Sequence, residues 1–168
     1  MQPPLLPSET LERVLRRAQF DGTGVLAVGS FFALMGAAAG DVVGVMAWLL
    51  IAGTGAMALH GATLLREAEP RGVHWLVGGQ VFCMTVILSL CAWQLTHADI
   101  EPLRAAVTSE MRSSIAQTGL TEEQFLLLTY RFTYGVIATG TLLYQGGMAL
   151  YYRRRRRAVT AAVAADLD

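Results

Sequence analysis

Four long apolar runs alternate with short polar blocks along this chain: Thr23 to Ala39, Val42 to Leu65, Val73 to Leu95 and Tyr134 to Tyr152. Each holds about 17 to 24 residues, close to the roughly 20 that a helix rising 1.5 Å per residue needs to cross about 30 Å of hydrocarbon. The first two runs are parted only by Gly40 and Asp41. A single helix through both would be far too long for one crossing, so glycine followed by a capping aspartate predicts a tight hairpin. Ahead of the first run, Ser8 to Phe20 places Leu11, Val14, Leu15 and Ala18 on one face and Arg13, Arg16 and Arg17 on the rest. That pattern predicts a short amphipathic helix, capped by Ser8, lying on the membrane surface or leading into the first span.

The segment between the third and fourth runs is too long for a simple connector. Pro102 behind Asp99 and Glu101 suits a helix start, and Leu103, Val107, Met111 and Ile115 recur every fourth residue until Gly119, which suits a helix end. Thr121 with Gln124 three residues on makes a capping box, and nothing interrupts a helix from Glu122 to the arginine run. A final helix of about 36 residues, roughly 54 Å long, is therefore expected to project beyond the bilayer and pair with the preceding one. The expected fold is all-α, an integral membrane four-helix bundle with both termini inside and an extracytoplasmic helical hairpin. Its segments are an N-terminal amphipathic helix (1–21), three spans (22–95), the outer hairpin (96–133), the fourth span (134–152) and a basic cytoplasmic tail (153–168).

Composition agrees with a membrane class: 54% of the 168 residues are hydrophobic and 15% charged, against about 25% charged in a typical soluble domain. All thirteen basic residues are arginine. Ten of them (Arg13, Arg16, Arg17, Arg66, Arg71 and Arg153 to Arg157) flank the termini and the second loop. Only Arg104, Arg112 and Arg131 lie in the other loops, an asymmetry that puts the termini in the cytoplasm. Trp75, Tyr151 and Tyr152 then sit at the inner interface and Trp93, Tyr130 and Tyr134 at the outer one. The expected location is the cell membrane, of bacterial inner-membrane type, with no cleavable leader. Arg153, Arg154, Arg155, Arg156 and Arg157 are read as an anchor to anionic lipid headgroups, each contributing about 1 kcal/mol. Zero net charge and so short a basic tract give no reason to expect a nucleic-acid partner.

Candidate chemistry is sparse. The sequence has no Cys-x-x-Cys, HExxH, Gly-x-Ser-x-Gly or Walker motif, and no enzyme activity, cofactor or metal is expected. Cys83 and Cys91 lie on one helix, too far apart to pair. His60 and His74 straddle the second loop, where paired histidines would suit a haem or metal, but their expected depths differ by roughly 6 Å. Interfacial hydrogen bonding is the simpler reading of both. Gln80 and Gln145 fall at nearly equal depth on antiparallel spans, with Tyr144, His60 and Thr54 near that level. Such a polar layer either ties helices together, for roughly 0.6 to 2 kcal/mol a contact, or lines a pore. No acidic residue is expected deep in any span, which argues against a proton-coupled carrier. Small residues recur at packing spacing, namely Gly29, Ala33 and Ala37, then Thr54, Ala58 and Ala62, then Gly135, Thr139 and Gly147. They suit contacts within the bundle or between copies.

The leading expectation is a homo-oligomeric assembly serving as an ion channel or pore. One alternative is a non-transporting accessory or sensor subunit that binds a protein partner through its outer hairpin. The other is an intramembrane haem or redox protein using His60 or His74.

Overall fold

The structure, a computed structural model, describes residues 6–165 and is 88% helical, with no strand among those residues. The helices are α1 (Pro7–Ala39), α2 (Val42–Arg66), α3 (Gly72–Thr96), α4 (Glu101–Ala105), α5 (Ser109–Gln117) and α6 (Glu122–Ala165). Four of them, α1, α2, α3 and α6, are long and apolar enough to cross a membrane. Residues 1–5 of the expected N-terminal segment and 166–168 of the expected tail lie outside the described residues. The chain divides into two compact units, one formed by residues up to Val86 and from Leu142 onward, the other by Ile87 to Thr141.

In the first unit the Gly40–Asp41 hairpin forms by local chemistry. Gly40 takes the left-handed conformation at φ 74°, its N–H donating to the Ala37 carbonyl at 3.2 Å while the Asp41 N–H reaches the Gly36 carbonyl at 2.9 Å. This pair of bonds satisfies two carbonyls at the end of α1. Asp41 then caps α2, accepting from the Gly44 N–H at 2.9 Å.

Early α1 leads straight into the apolar run, one of the two expected arrangements, but its cap differs. Pro7 occupies the first helical turn behind Leu6, so Ser8 lies inside the helix and does not cap it. No surface helix ends near Phe20; α1 runs unbroken through Asp21, Gly22, Thr23 and Gly24 into the apolar run. Glycines at Gly22 and Gly24 disfavour a helix locally, but burial of Gly22 against α2 outweighs that preference.

Packing between α1 and α2 depends on missing side chains. A Cβ on Gly55 would lie 2.6 Å from both the Gly22 carbonyl oxygen and the Leu26 backbone nitrogen. A Cβ on Gly29 would meet the Ala52 backbone nitrogen at 2.8 Å. By contrast, a Cβ on Gly147 of α6 meets nothing within 4 Å. Gly55→Ala is therefore expected to destabilise the purified protein by about 1 to 3 kcal/mol, because two backbones must separate. Gly147→Ala should be neutral or stabilise by up to about 1 kcal/mol. Thermal unfolding in detergent distinguishes the two.

All four long helices contribute to one core cluster: Leu11, Val14 and Ala18 from α1, Ala58, Ala62 and Leu65 from α2, Val73 and Leu76 from α3, and Tyr152, Val159, Ala162 and Val163 from α6. The amphipathic face of early α1 is thus covered by protein. The segment after the arginines remains helical and closes the same core.

In the second unit the helix expected to end at Gly119 is broken. Backbone bonds of Ala106 and Val107 tighten the end of α4, and Thr108 starts α5 by accepting from the Met111 N–H at 3.3 Å. Leu103 and Val107 therefore do not continue the face of Met111 and Ile115, and of these four only Ile115 is buried. Gly119 has φ 75°, as its position after α5 requires. The capping box forms reciprocally, the Gln124 N–H donating to Thr121 Oγ1 at 3.2 Å and the Thr121 N–H to Gln124 Oε1 at 3.1 Å.

A candidate carboxylate–amide layer

The continuity of α1 brings a carboxylate into the first unit. Asp21 lies one turn beyond Ala18 and is only 8% exposed. Its Oδ2 accepts from Gln80 Nε2 of α3 at 2.5 Å, and its Oδ1 accepts from the Tyr144 hydroxyl of α6 at 2.8 Å. No salt bridge involves Asp21 among the described residues. Both of its hydrogen-bond donors are neutral, so no cationic side chain touches the carboxyl group directly.

Gln145 of α6, one residue beyond Tyr144, turns inward, and its Nε2 lies 3.5 Å from Cys83 Sγ of α3. Thr54 of α2 is buried and donates its hydroxyl to the Ile51 carbonyl at 2.6 Å. These side chains surround a cavity of about 10 Å³, lined by Asp21, Thr54, Gln80, Cys83 and Gln145 together with small residues of α1, α2 and α3. That volume holds the centre of one water-sized occupant. The side-chain carbonyl oxygens of Gln80 and Gln145 are both buried without a hydrogen-bond partner.

The structure thus gathers Gln80, Gln145, Tyr144 and Thr54 around Asp21. The two glutamines share the cavity without bonding to each other; each spends its N–H on a different neighbour. His60 lies apart. Its ring is exposed and packs edge-on to Trp75, centroids 4.9 Å apart. His74 is also exposed. Among the described residues no three His, Cys, Asp or Glu side chains converge. Of the small residues singled out, Gly29 and Ala33 are buried, Ala37, Thr139 and Gly147 are exposed, and a Cβ on Gly135 meets no neighbour.

No protein-family model, curated protein or solved structure matches this chain. The chemistry must therefore be read from the layer itself.

Toward the arginine-bearing end of this unit, an open groove of about 440 Å³ between α1 and α6 is lined by Arg16, Arg17, Phe20, Asp21, Tyr144 and Met148. It connects the carboxylate with the basic residues in steps along α1. The Tyr151 ring lies between two guanidinium groups, Arg17 at 4.6 Å and Arg155 at 4.3 Å from its centroid. The other residues of the run, Arg153, Arg154, Arg156 and Arg157, are exposed.

Asp21 escapes a reading of the sequence that separates a surface helix from the first span. One signal was available: Leu11, Val14, Ala18, Gly22, Gly29 and Ala33 form one buried stripe at three-, four- and seven-residue steps. The helical period therefore does not reset at the apparent boundary. Asp21 lies beside that stripe.

Tyr144→Phe removes one donor from the carboxylate. Because the tyrosine is 53% exposed, the expected loss is about 1 kcal/mol, below the 1.5 to 3 typical of a buried charged hydrogen bond. Unfolding of the variant in detergent checks it.

Proposed function

We propose that this chain is a multi-pass protein of the cell membrane, folded as a four-helix bundle with both termini cytoplasmic. In this reading it assembles with copies of itself and passes a small cation through the layer centred on Asp21. The observation that carries the proposal is a buried carboxylate held by a glutamine and a tyrosine and lacking a cationic partner. Ionisable groups at membrane depth are costly, and they mark ion or proton paths more often than structural joints. The arginine asymmetry supports the orientation, with Arg153 to Arg157 on anionic lipid. The bacterial inner membrane is the expected site.

Self-assembly follows from the small volume enclosed by one chain. A cavity of about 10 Å³ is a single site, and a continuous pathway needs walls from further subunits. The open faces at Gly135 and Gly140 of α6 suit close helix approach between copies.

Two measurements on the wild-type protein test this reading: the mass of the particle in mild detergent, and cation flux from liposomes under an imposed gradient. An oligomer that dissipates the gradient supports it. A monomer that passes no cation overturns it.

A second reading has its own observation. In the other unit a groove of about 420 Å³ lies beside α5, lined by Thr108, Met111, Ile115, Thr118 and Phe125 among others, and Met111 is 46% exposed. An accessory subunit could seat a protein partner there. Met111→Asp would then release a co-purifying partner without altering the particle otherwise.

A further inference from the structure

The cavity beside Asp21 has the makings of a specific ligand site. We infer that it holds one dehydrated monovalent metal cation, of the size and hard-oxygen preference of sodium. The inference rests on the reading of this layer as an ion-handling one and adds the ligand and its donors.

The first argument is the donor set. Gln80 and Gln145 are 4% and 7% exposed, and the side-chain carbonyl oxygen of each is buried with no partner. A buried acceptor left unsatisfied costs about 1 to 3 kcal/mol, and two around one small cavity demand a common explanation. Each glutamine already commits its amide nitrogen to a neighbour, Gln80 to Asp21 and Gln145 to Cys83, through one N–H apiece. This leaves oxygen as the free end of each amide. The Thr54 hydroxyl spends its proton on the Ile51 carbonyl, which leaves its lone pairs available. Carboxylate, amide and hydroxyl oxygens are the ligands that hard cations take.

Charge supplies the second argument. The carboxylate of Asp21 receives hydrogen bonds only from neutral donors, so a single positive charge in the cavity would neutralise it and satisfy the amide oxygens together. A water molecule could meet one amide oxygen with each of its protons but would leave the carboxylate without a cation in direct contact, since Arg16 and Arg17 line the neighbouring groove and form no salt bridge with it. A divalent ion fits less well. Calcium takes six to eight oxygens and magnesium keeps several waters, and neither demand fits one carboxylate and room for one water-sized occupant.

Geometry supplies the third. The donors come from four helices: Asp21 from α1, Thr54 from α2, Gln80 from α3 and Gln145 from α6. An ion bound among them would tie all four together, so occupancy should appear as stability.

The test is thermal unfolding of the full-length protein in detergent, in sodium, potassium, lithium or choline chloride at equal ionic strength. Sodium is expected to raise the midpoint saturably by about 5 °C over choline, the scale of a ligand well above its dissociation constant acting on a chain of this size. Lithium and potassium should do less. The rise should disappear in Asp21→Asn and shrink in Gln145→Leu. The same midpoint in sodium and choline for the wild-type protein overturns the site, whatever the variants do. A sodium-dependent rise retained in full by both variants also overturns it. Asp21→Asn removes a buried charge and so should fold without sodium, which keeps the comparison readable if Gln145→Leu does not fold. Liposome flux separates the two proposals. A sodium-dependent rise without flux keeps the site and overturns conduction; flux without a rise does the reverse.

Discussion

Asp21→Asn is expected to reduce cation flux from liposomes by at least about tenfold, the factor that 1.4 kcal/mol represents, while leaving the folded protein nearly as stable as before. The stability half follows from the hydrogen bonds. Oδ1 accepts from Tyr144 and Oδ2 from Gln80, so an asparagine can keep one acceptor but must turn its NH₂ toward the other donor. Losing one hydrogen bond costs about 1 kcal/mol, and removing a buried charge returns a similar amount or more. The flux half follows from the charge. An amide of the same shape presents no net attraction to a cation leaving water, so the layer becomes a barrier. A variant that folds, assembles and conducts like the wild type would show that the carboxylate is a structural joint.

The second large effect concerns the end of α6. Ending the chain at Arg157 should lower the unfolding free energy by about 3 kcal/mol or more, since burying one valine side chain contributes about 1.5 to 3. Such a truncation removes Val159, Ala162 and Val163 from the core cluster that they share with Leu11, Val14 and Ala18. Ending the chain there would matter little if the arginine run served only as a lipid anchor. A melting temperature unchanged by the truncation would favour the anchor alone; a fall of about 10 °C is the expected result.

Where the structure follows the sequence, a short-range rule is at work. Gly40 and Asp41 close one helix and open the next through bonds that reach no more than a few residues. Thr121 and Gln124 do the same at the start of α6. The apolar length of four helices is equally direct. Long-range packing decided the features that differ. Asp21 stands at the edge of an apolar run, where a charge ordinarily marks the water interface. Only the partners supplied by α3 and α6, far along the chain, draw it inside. Gln80 and Gln145 were legible as a level because helical rise fixes depth, yet the side chain that joins Gln80 lay outside the expected span. Residue counting puts His60 near that level, yet its ring is exposed and packs on Trp75, because counting along a helix carries no azimuth. The break at Thr108 reflects a competition between a regular apolar period and a capping hydroxyl, which the hydroxyl wins.

Under the proposed orientation, the groove with Arg16 and Arg17 opens toward the cytoplasmic leaflet, with Asp21 among its lining residues. The two arginines would draw anionic headgroups to that opening.

Every role given to this layer depends on Asp21 meeting Gln80 inside the helix assembly, and a double-substitution cycle measures that meeting. Asp21→Leu, Gln80→Leu and the double variant would be unfolded reversibly in mixed micelles beside the wild type. Contact predicts that the single effects fail to add by about 1 to 3 kcal/mol, because each leucine strands the partner left behind. Effects that add within about 0.5 kcal/mol would place Asp21 away from Gln80 and contradict the layer.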